Sequence, residues 1–157
     1  MGTARSTSCW HRSWQLLLLL LGLLLLSPKL CDAVTMQQFL QSLDMMRNGC
    51  MGKFKVPLDT LDRLRDGDFS FEPSQDLLCY TKCVAQLAGI LTKKGDFSVN
   101  KAMAQMPIIL PAELQDPAQK ALNHCKDEPK AHKDQCAQVY YISKCMADYD
   151  RPNFKFP

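Results

Sequence analysis

The chain has 157 residues, 22% of them charged, with a formal net charge of +3 and eight cysteines. Setting aside residues 1–33, for reasons given below, leaves 124 residues with 16 Lys and Arg against 15 Asp and Glu, six cysteines, seven methionines and no tryptophan. Interspersed charge so near neutrality excludes a nucleic-acid or polyanion binder, which would need a basic face or stripe.

In chain order, residues 1–33 read as a cleaved secretory signal peptide. Arg5 and Arg12 form a basic start, and an apolar run from Leu16 to Leu26 follows. Small residues stand one and three places before a cut after Ala33. An anchor is the alternative, but eleven residues fall short of the roughly 20 that span a bilayer as a helix. No later segment is apolar enough to span, so the mature chain, residues 34–157, is expected to be one soluble, secreted domain in which disulfides can form. It holds no Asn-x-Ser/Thr, so N-glycosylation is not expected.

No sustained period-two run of β-branched and aromatic residues occurs, and glycines and prolines cut the chain into helix-sized pieces, so the fold class is all-α. Thr35-x-x-Gln38 is a capping box, followed by Met36, Phe39, Leu40, Leu43 and Met46 at helical spacing, with Asn48-Gly49 as the expected stop. A second helix fits Leu58 to Arg65, with Leu58, Leu61 and Leu64 on one side. A third is predicted to start at Glu72-Pro73-Ser74, carry Leu77, Leu78, Thr81, Val84, Leu87, Ala88 and Leu91, and end at Lys93-Lys94-Gly95, where lysines suit the negative helix end. A fourth runs from Val99 to Met106, stopped by Pro107. Because an interior proline costs about 3 kcal/mol, Asp116 is expected to cap a fifth helix that begins at Pro117. The sixth is predicted over Lys130 to Asp148, with Cys136, Val139, Tyr140, Ser143 and Met146 available to face inward. The prolines of the tail, residues 150–157, favour an extended chain that puts Phe154 and Phe156 on the same side.

Cys50, Cys79, Cys83, Cys125, Cys136 and Cys145 are separated by 28, 3, 41, 10 and 8 residues. Cys79 and Cys83 lie one turn apart with roughly parallel side-chain directions, so each reaches a different partner. Cys136 and Cys145, nine residues apart on one helix, face opposite ways and do the same. Twelve of the fifteen pairings survive the first of these constraints. Cys79, Cys83, His124, Cys125, His132 and Cys136 could in principle ligate zinc. The spacing lacks a Cys-x-x-Cys knuckle and the cysteine count is even in an oxidising compartment, so no metal and no cofactor are expected.

This six-cysteine spacing resembles that of the insect odorant-binding proteins. The likeness extends to local motifs: Gln38-Phe39-Leu40, Ser42-Leu43-Asp44-Met45, Leu61-Asp62-Arg63-Leu64-Arg65, Gly67-Asp68-Phe69, Pro73-Ser74-Gln75-Asp76-Leu77, Cys79-Tyr80-Thr81-Lys82-Cys83-Val84 and Lys93-Lys94-Gly95. These look like a pheromone- and alcohol-binding member of that family from flies. The resemblance implies a six-helix, disulfide-stapled bundle around an apolar ligand cavity, with bridges Cys50–Cys83, Cys79–Cys136 and Cys125–Cys145. It also implies secretion into the lymph around sensory hairs, capture of small hydrophobic odorants or pheromones, and delivery toward membrane receptors by a monomer or weak dimer.

The lining carried over from the resemblance is Met46, Thr81, Ala85 and Ile90 toward the front of the chain, Phe97, Met103, Met106 and Ile109 in the middle, and Val139, Met146, Phe154 and Phe156 at the end. The fly relative holds small alcohols with two hydroxyls whose positions match Ala85 and Ile90, while Thr81 keeps a third hydroxyl. Losing two buried donors implies a preference for longer, less polar ligands, such as fatty esters, aldehydes or long-chain alcohols. The relative's tail folds over its cavity, with a tryptophan where this chain has Phe156. A lysine–aspartate bridge holds that tail. Lys120 matches the lysine, but Arg151 stands in the aspartate position, with Asp150 one place earlier.

Two other classes are weighed against this. A phospholipase-like hydrolase would need a His-Asp pair and a Gly-rich calcium loop, and no nucleophile with an adjacent base is recognisable, so no enzyme is expected. A helical, disulfide-bonded extracellular signalling protein would have a filled core, whereas a carrier needs an apolar cavity of roughly 300 Å³ or more. His124 and His132 are the mature groups whose ordinary pKa lies in the physiological range, and they read as solvated surface residues.

Overall fold

A computed structural model describes residues 33–157, and every structural statement below concerns these. The signal-peptide expectation, apart from Ala33, lies outside the described residues.

The first helix, α1 (Met36–Met51), begins where the capping box predicts. The Gln38 amide donates to the Thr35 hydroxyl at 3.2 Å, and the Thr35 amide donates to the Gln38 side chain at 2.9 Å. Phe39 and Leu43, one turn apart, form its buried stripe. Asn48-Gly49 does not end it. The helix continues one turn and brings the fully buried Cys50 to Cys83. Gly49 serves as a point of close approach, since a Cβ there would stand 3.3 Å from Leu87 Cδ1.

The second helix, α2 (Leu58–Arg65), matches the predicted bounds. Leu61 and Leu64 are buried, but Leu58 at its first position stays 61% exposed, so the expected stripe is two residues wide. Two crossed ion pairs, Arg47–Asp62 and Arg65–Asp44, both at 2.6 Å, hold α2 against α1. Because Asp62 and Asp44 are largely exposed, each pair contributes about 0 to 1 kcal/mol and mainly sets orientation. Gly67 then takes a left-handed φ of 70° and turns the chain inward to Phe69.

Helix α3 (Gln75–Leu87) is capped by Ser74, whose hydroxyl accepts from the Leu77 amide. It stops well before the expected Lys93-Lys94-Gly95. Gly89, at φ 72°, closes it, with its amide bonded to the Gln86 carbonyl and the Ile90 amide to the Ala85 carbonyl. That double bond pattern is a Schellman motif, and Ile90 packs with Ala85 as its apolar contact. Residues 90–98 form a tight loop instead, in which Leu91 pairs antiparallel with Phe97. Gln135 clamps this loop by donating to the Lys94 carbonyl at 2.8 Å and to Asp96 at 3.1 Å.

Both proline expectations need correction. Helix α4 (Val99–Ile109) runs through Pro107, and the Leu110 amide still closes on Met106 at 2.9 Å. Helix α5 (Ala112–Cys125) starts five residues before Pro117, after Pro111. The early start buries Leu114 against Phe39 and Leu43. Full burial of a leucine yields about 1.5 to 3 kcal/mol, comparable to the proline's disadvantage. A short 3-10 turn at Glu128–Ala131 precedes helix α6 (Gln135–Tyr149), which therefore begins later than expected. Asp134 caps it by accepting from the Ala137 amide at 2.8 Å.

These helices make an all-α, six-helix bundle tied by three disulfides: Cys50–Cys83 joins α1 to α3, Cys79–Cys136 joins α3 to α6, and Cys125–Cys145 joins α5 to α6. These are the pairs that the family resemblance implies. Burial concentrates in two principal groups, one around Leu64, Phe69, Tyr80 and Tyr140, the other around Met106, Leu122 and Ile142.

Candidate functional site: an apolar cavity closed by the tail

A cavity of about 660 Å³ opens within the bundle, walled by α1, α3, α4, α5, α6 and the tail. Its volume lies within the roughly 300 to 1,000 Å³ typical of small-molecule sites. The side chains come from helix faces at helical spacing: Phe39, Leu43 and Met46 from α1, Ala102 and Met106 from α4, Leu114, Ala121 and Leu122 from α5, and Ile142 and Met146 from α6. Methionine supplies adaptable wall, because its unbranched thioether reshapes easily.

Eight of the twelve expected lining residues meet here: Met46, Ile90, Phe97 and Met106, and then Ile109, Met146, Phe154 and Phe156. Four do not line it. Thr81 is fully buried and its hydroxyl donates to its own helix at the Leu78 carbonyl, 2.7 Å away, so it offers no hydrogen bond to a ligand. Ala85 and Val139 pack with Leu91 into a small separate cluster. Met103 packs among the residues around Ile142 and Leu122. Of the two positions matched to hydroxyls in the fly relative, Ile90 therefore lines the cavity and Ala85 stands behind it.

Phe39, Leu43, Leu114, Leu122 and Ile142 line the cavity without having been singled out. The first two were visible as the inward stripe of α1. Leu114 was hidden by the expectation of a loose turn before Pro117.

The tail is built as a wall. Phe154 and Phe156 stack parallel at 6.2 Å with 8° between their planes, so they do share a side. Both meet Phe69 edge-on, at 5.9 and 6.0 Å, and Phe69 in turn meets Tyr140 at 5.4 Å. Phe69 thus anchors the tail from the Gly67-Asp68-Phe69 turn. The tail is not fully extended at its start, since the Phe154 amide bonds back to the Asp150 carbonyl at 3.0 Å.

The Tyr80 hydroxyl donates to the main-chain oxygen of Pro157 at 3.1 Å. Burial pushes the Tyr80 phenol up to about 12, and burial likewise raises Tyr140 to about 12, helped by Tyr141 beside it. Both phenols are therefore neutral donors at any physiological pH.

Lys120 takes no part in holding the tail. It pairs within α5 with Asp116 at 2.7 Å, both side chains exposed, while the Asp150 carboxylate accepts from the Asn153 amide. Arg151 does the holding instead, donating from Nε to the Asp66 carbonyl at 3.0 Å. Its aliphatic part and Phe154 lie over Gly67, where a Cβ would stand 3.2 and 3.5 Å from them.

Among the described residues, no three His, Cys, Asp or Glu side chains gather as a metal site, and no helix is long and apolar enough to cross a membrane. His124 lies tilted against Tyr149, with 33° between the ring planes, and His132 stacks on Tyr141 with Glu128 at 3.5 Å. His124 is exposed as expected. His132, with 24% of its side chain accessible, is less solvated than the sequence suggests.

Comparison with known proteins agrees with this geometry. The chain is 30% identical over 122 residues to general odorant-binding protein 19a of Drosophila melanogaster, covering 76% of this chain and 82% of that protein. It is 24% identical over 125 residues to general odorant-binding protein 72 of Anopheles gambiae, covering 80% of this chain and all of that one. Its fold is similar to that of Apis mellifera odorant binding protein 5, with a TM-score of 0.70, 25% identity and coverage of 80% and 99%. It is also similar to odorant binding protein 4 of Chrysopa pallens, with a TM-score of 0.69, 24% identity and coverage of 79% and 99%. With its profile matched over residues 32–149 and its six bridged cysteines enclosing an apolar cavity, the chain belongs to the PBP/GOBP family.

Proposed function

We propose that this protein is a secreted carrier that holds a small hydrophobic odorant or pheromone in the cavity and presents it to chemosensory receptors. Residues 1–33 serve as the signal peptide, and the mature chain works as a monomer or weak dimer in sensory-hair lymph. Membership of the PBP/GOBP family supports the reading. The observation that carries it is the cavity of about 660 Å³, since a protein that signals by its surface has no use for so large an apolar void.

The ligand is long and weakly polar. Support for this comes from Ile90 at a cavity position matched to a hydroxyl in LUSH, the alcohol-binding fly protein that the motifs resemble, and from Thr81, whose hydroxyl is turned away. A short alcohol would bury its hydroxyl with few partners, at about 1 to 3 kcal/mol, and would fill little of the space. A fatty ester, aldehyde or long-chain alcohol gains more from apolar contact, at about 0.8 kcal/mol per buried methylene.

Displacement of an extrinsic fluorescent probe tests this, since residues 34–157 contain no tryptophan to report quenching. A long-chain ester is expected to displace the probe at far lower concentration than butanol. Comparable affinity for the two would overturn the ligand assignment.

A further inference from the structure

The few polar side chains around the cavity differ in whether their hydrogen-bonding capacity is already used. The Ser42 hydroxyl donates to the Phe39 carbonyl at 2.7 Å. The Asp150 carboxylate accepts twice from the Asn153 amide, at 3.1 and 2.9 Å. Gln105 lies at the rim, its Nε2 3.8 Å from the point where a Cβ on the exposed Gly89 would stand.

Gln105, and Lys155 on the exposed side of the tail, likewise make no side-chain hydrogen bond to a described residue, and Ser143 is set apart from them by its place on α6 beside the buried Ile142. It follows Ile142 and precedes Met146 by three positions on α6, so it shares the helix face that these two residues present to the cavity. A helical serine often bonds back to the carbonyl one turn earlier. Ser143 does not, and its hydroxyl makes no hydrogen bond to any described residue. Nor is it sealed in protein: the buried side-chain polar atoms without partners belong to Arg47 and His132. Ser143, half-buried and lining the cavity, thus keeps an uncommitted hydroxyl among apolar walls.

We propose that Ser143 is a specificity-determining residue of the cavity, hydrogen-bonding the oxygen of a long-chain alcohol, aldehyde or ester and separating such ligands from a hydrocarbon of equal length. The assignment rests on the carrier reading above. A serine hydroxyl donates to a carbonyl oxygen or accepts from an alcohol, so one group serves all three ligand classes. The neighbouring Ile142 and Met146 receive the aliphatic part.

The test compares probe displacement by dodecanol and by dodecane from the mature wild-type protein and from S143A, S143T and Q105A. S143A is expected to weaken dodecanol about tenfold, the scale of one hydrogen bond, and to change dodecane less than about twofold. S143T, which retains a hydroxyl, restores dodecanol binding. Equal change for both ligands, or no change for either, overturns the role of Ser143 while leaving the carrier reading intact. Loss of the same discrimination in Q105A but not in S143A moves the anchor to the rim and overturns it too. A wild-type protein that retains neither ligand overturns the carrier reading and, with it, this assignment.

Discussion

Phe69→Leu loosens the anchoring of the tail and also removes the edge contact of Phe69 with Tyr140 in the bundle core. Phe69 is 2% exposed and touches the tail through two edge-to-face contacts, with Phe154 at 5.9 Å and Phe156 at 6.0 Å. Such contacts contribute about 0.5 to 1.5 kcal/mol each beyond area burial. Leucine keeps an apolar body in the site but has no ring edge, so the tail should lose about 1 to 3 kcal/mol of docking free energy, or roughly 5- to 150-fold in its docked population relative to the open one. Hydrogen exchange at Phe154, Lys155 and Phe156 reads this directly, because the Phe154 amide is protected by the Asp150 carbonyl only while the turn is formed. Probe affinity should fall in the same variant. Wild-type exchange in the tail together with wild-type affinity would show that the aromatic cluster is not what holds this wall.

Truncation after Asp150 should weaken ligand binding more than Phe69→Leu does, because it removes Phe154 and Phe156 from the cavity wall; affinity equal to wild type in displacement assays would remove the tail from the site. Thr81→Val should leave ligand affinity within about twofold, since its hydroxyl faces the Leu78 carbonyl, and should lower stability by about 0.5 to 1.5 kcal/mol in urea unfolding. A large loss of affinity would mean that Thr81 does face the ligand. The Ser70 hydroxyl, then the Arg63 guanidinium and the Ser70 amide, hold the Asp68 carboxyl well below the usual carboxylate range. A depressed folded-state pKa stabilises above the unfolded value of about 3.9 and loses that contribution as pH falls toward the folded value. Asp68→Asn should therefore reduce stability most at neutral pH, with the gap to wild type shrinking below about pH 4; a gap independent of pH in urea titrations would contradict the sign.

Local chemistry was legible where one short signal decided the outcome. Thr35 and Gln38 capped α1 as read, α2 kept its bounds, and Phe154 and Phe156 share a side. The misjudged boundaries are those where distant contacts outweighed a local rule. Pro117 sits inside α5 because Leu114, before it, packs on α1, and Gly49 sits inside α1 because its bare backbone lets Leu87 approach. Gly89, not Gly95, ends α3, a choice between two glycines that depends on Ile90 packing back on Ala85. The cavity's membership follows the same division. Residues on unambiguous inward stripes, such as Met46, Met106 and Met146, line it. Thr81, Ala85 and Val139 lie between α3 and α6, where two buried faces meet and periodicity cannot tell lining from filling. Arg151 reached the Asp66 carbonyl, a main-chain acceptor that no side-chain pattern announces.

The three disulfides cross-link α1, α3, α5 and α6, and none of them touches α2, α4 or the tail. The cavity thus has a covalent frame with two panels, α4 and residues 150–157, that only packing and hydrogen bonds hold in place. Because these two panels also supply wall, Met106 and Ile109 from α4 and Phe154 and Phe156 from the tail, substitutions in them reshape the space a ligand occupies without disturbing a single bridge. The part of the wall that can vary most freely in shape is thus the part that carries no covalent cross-link.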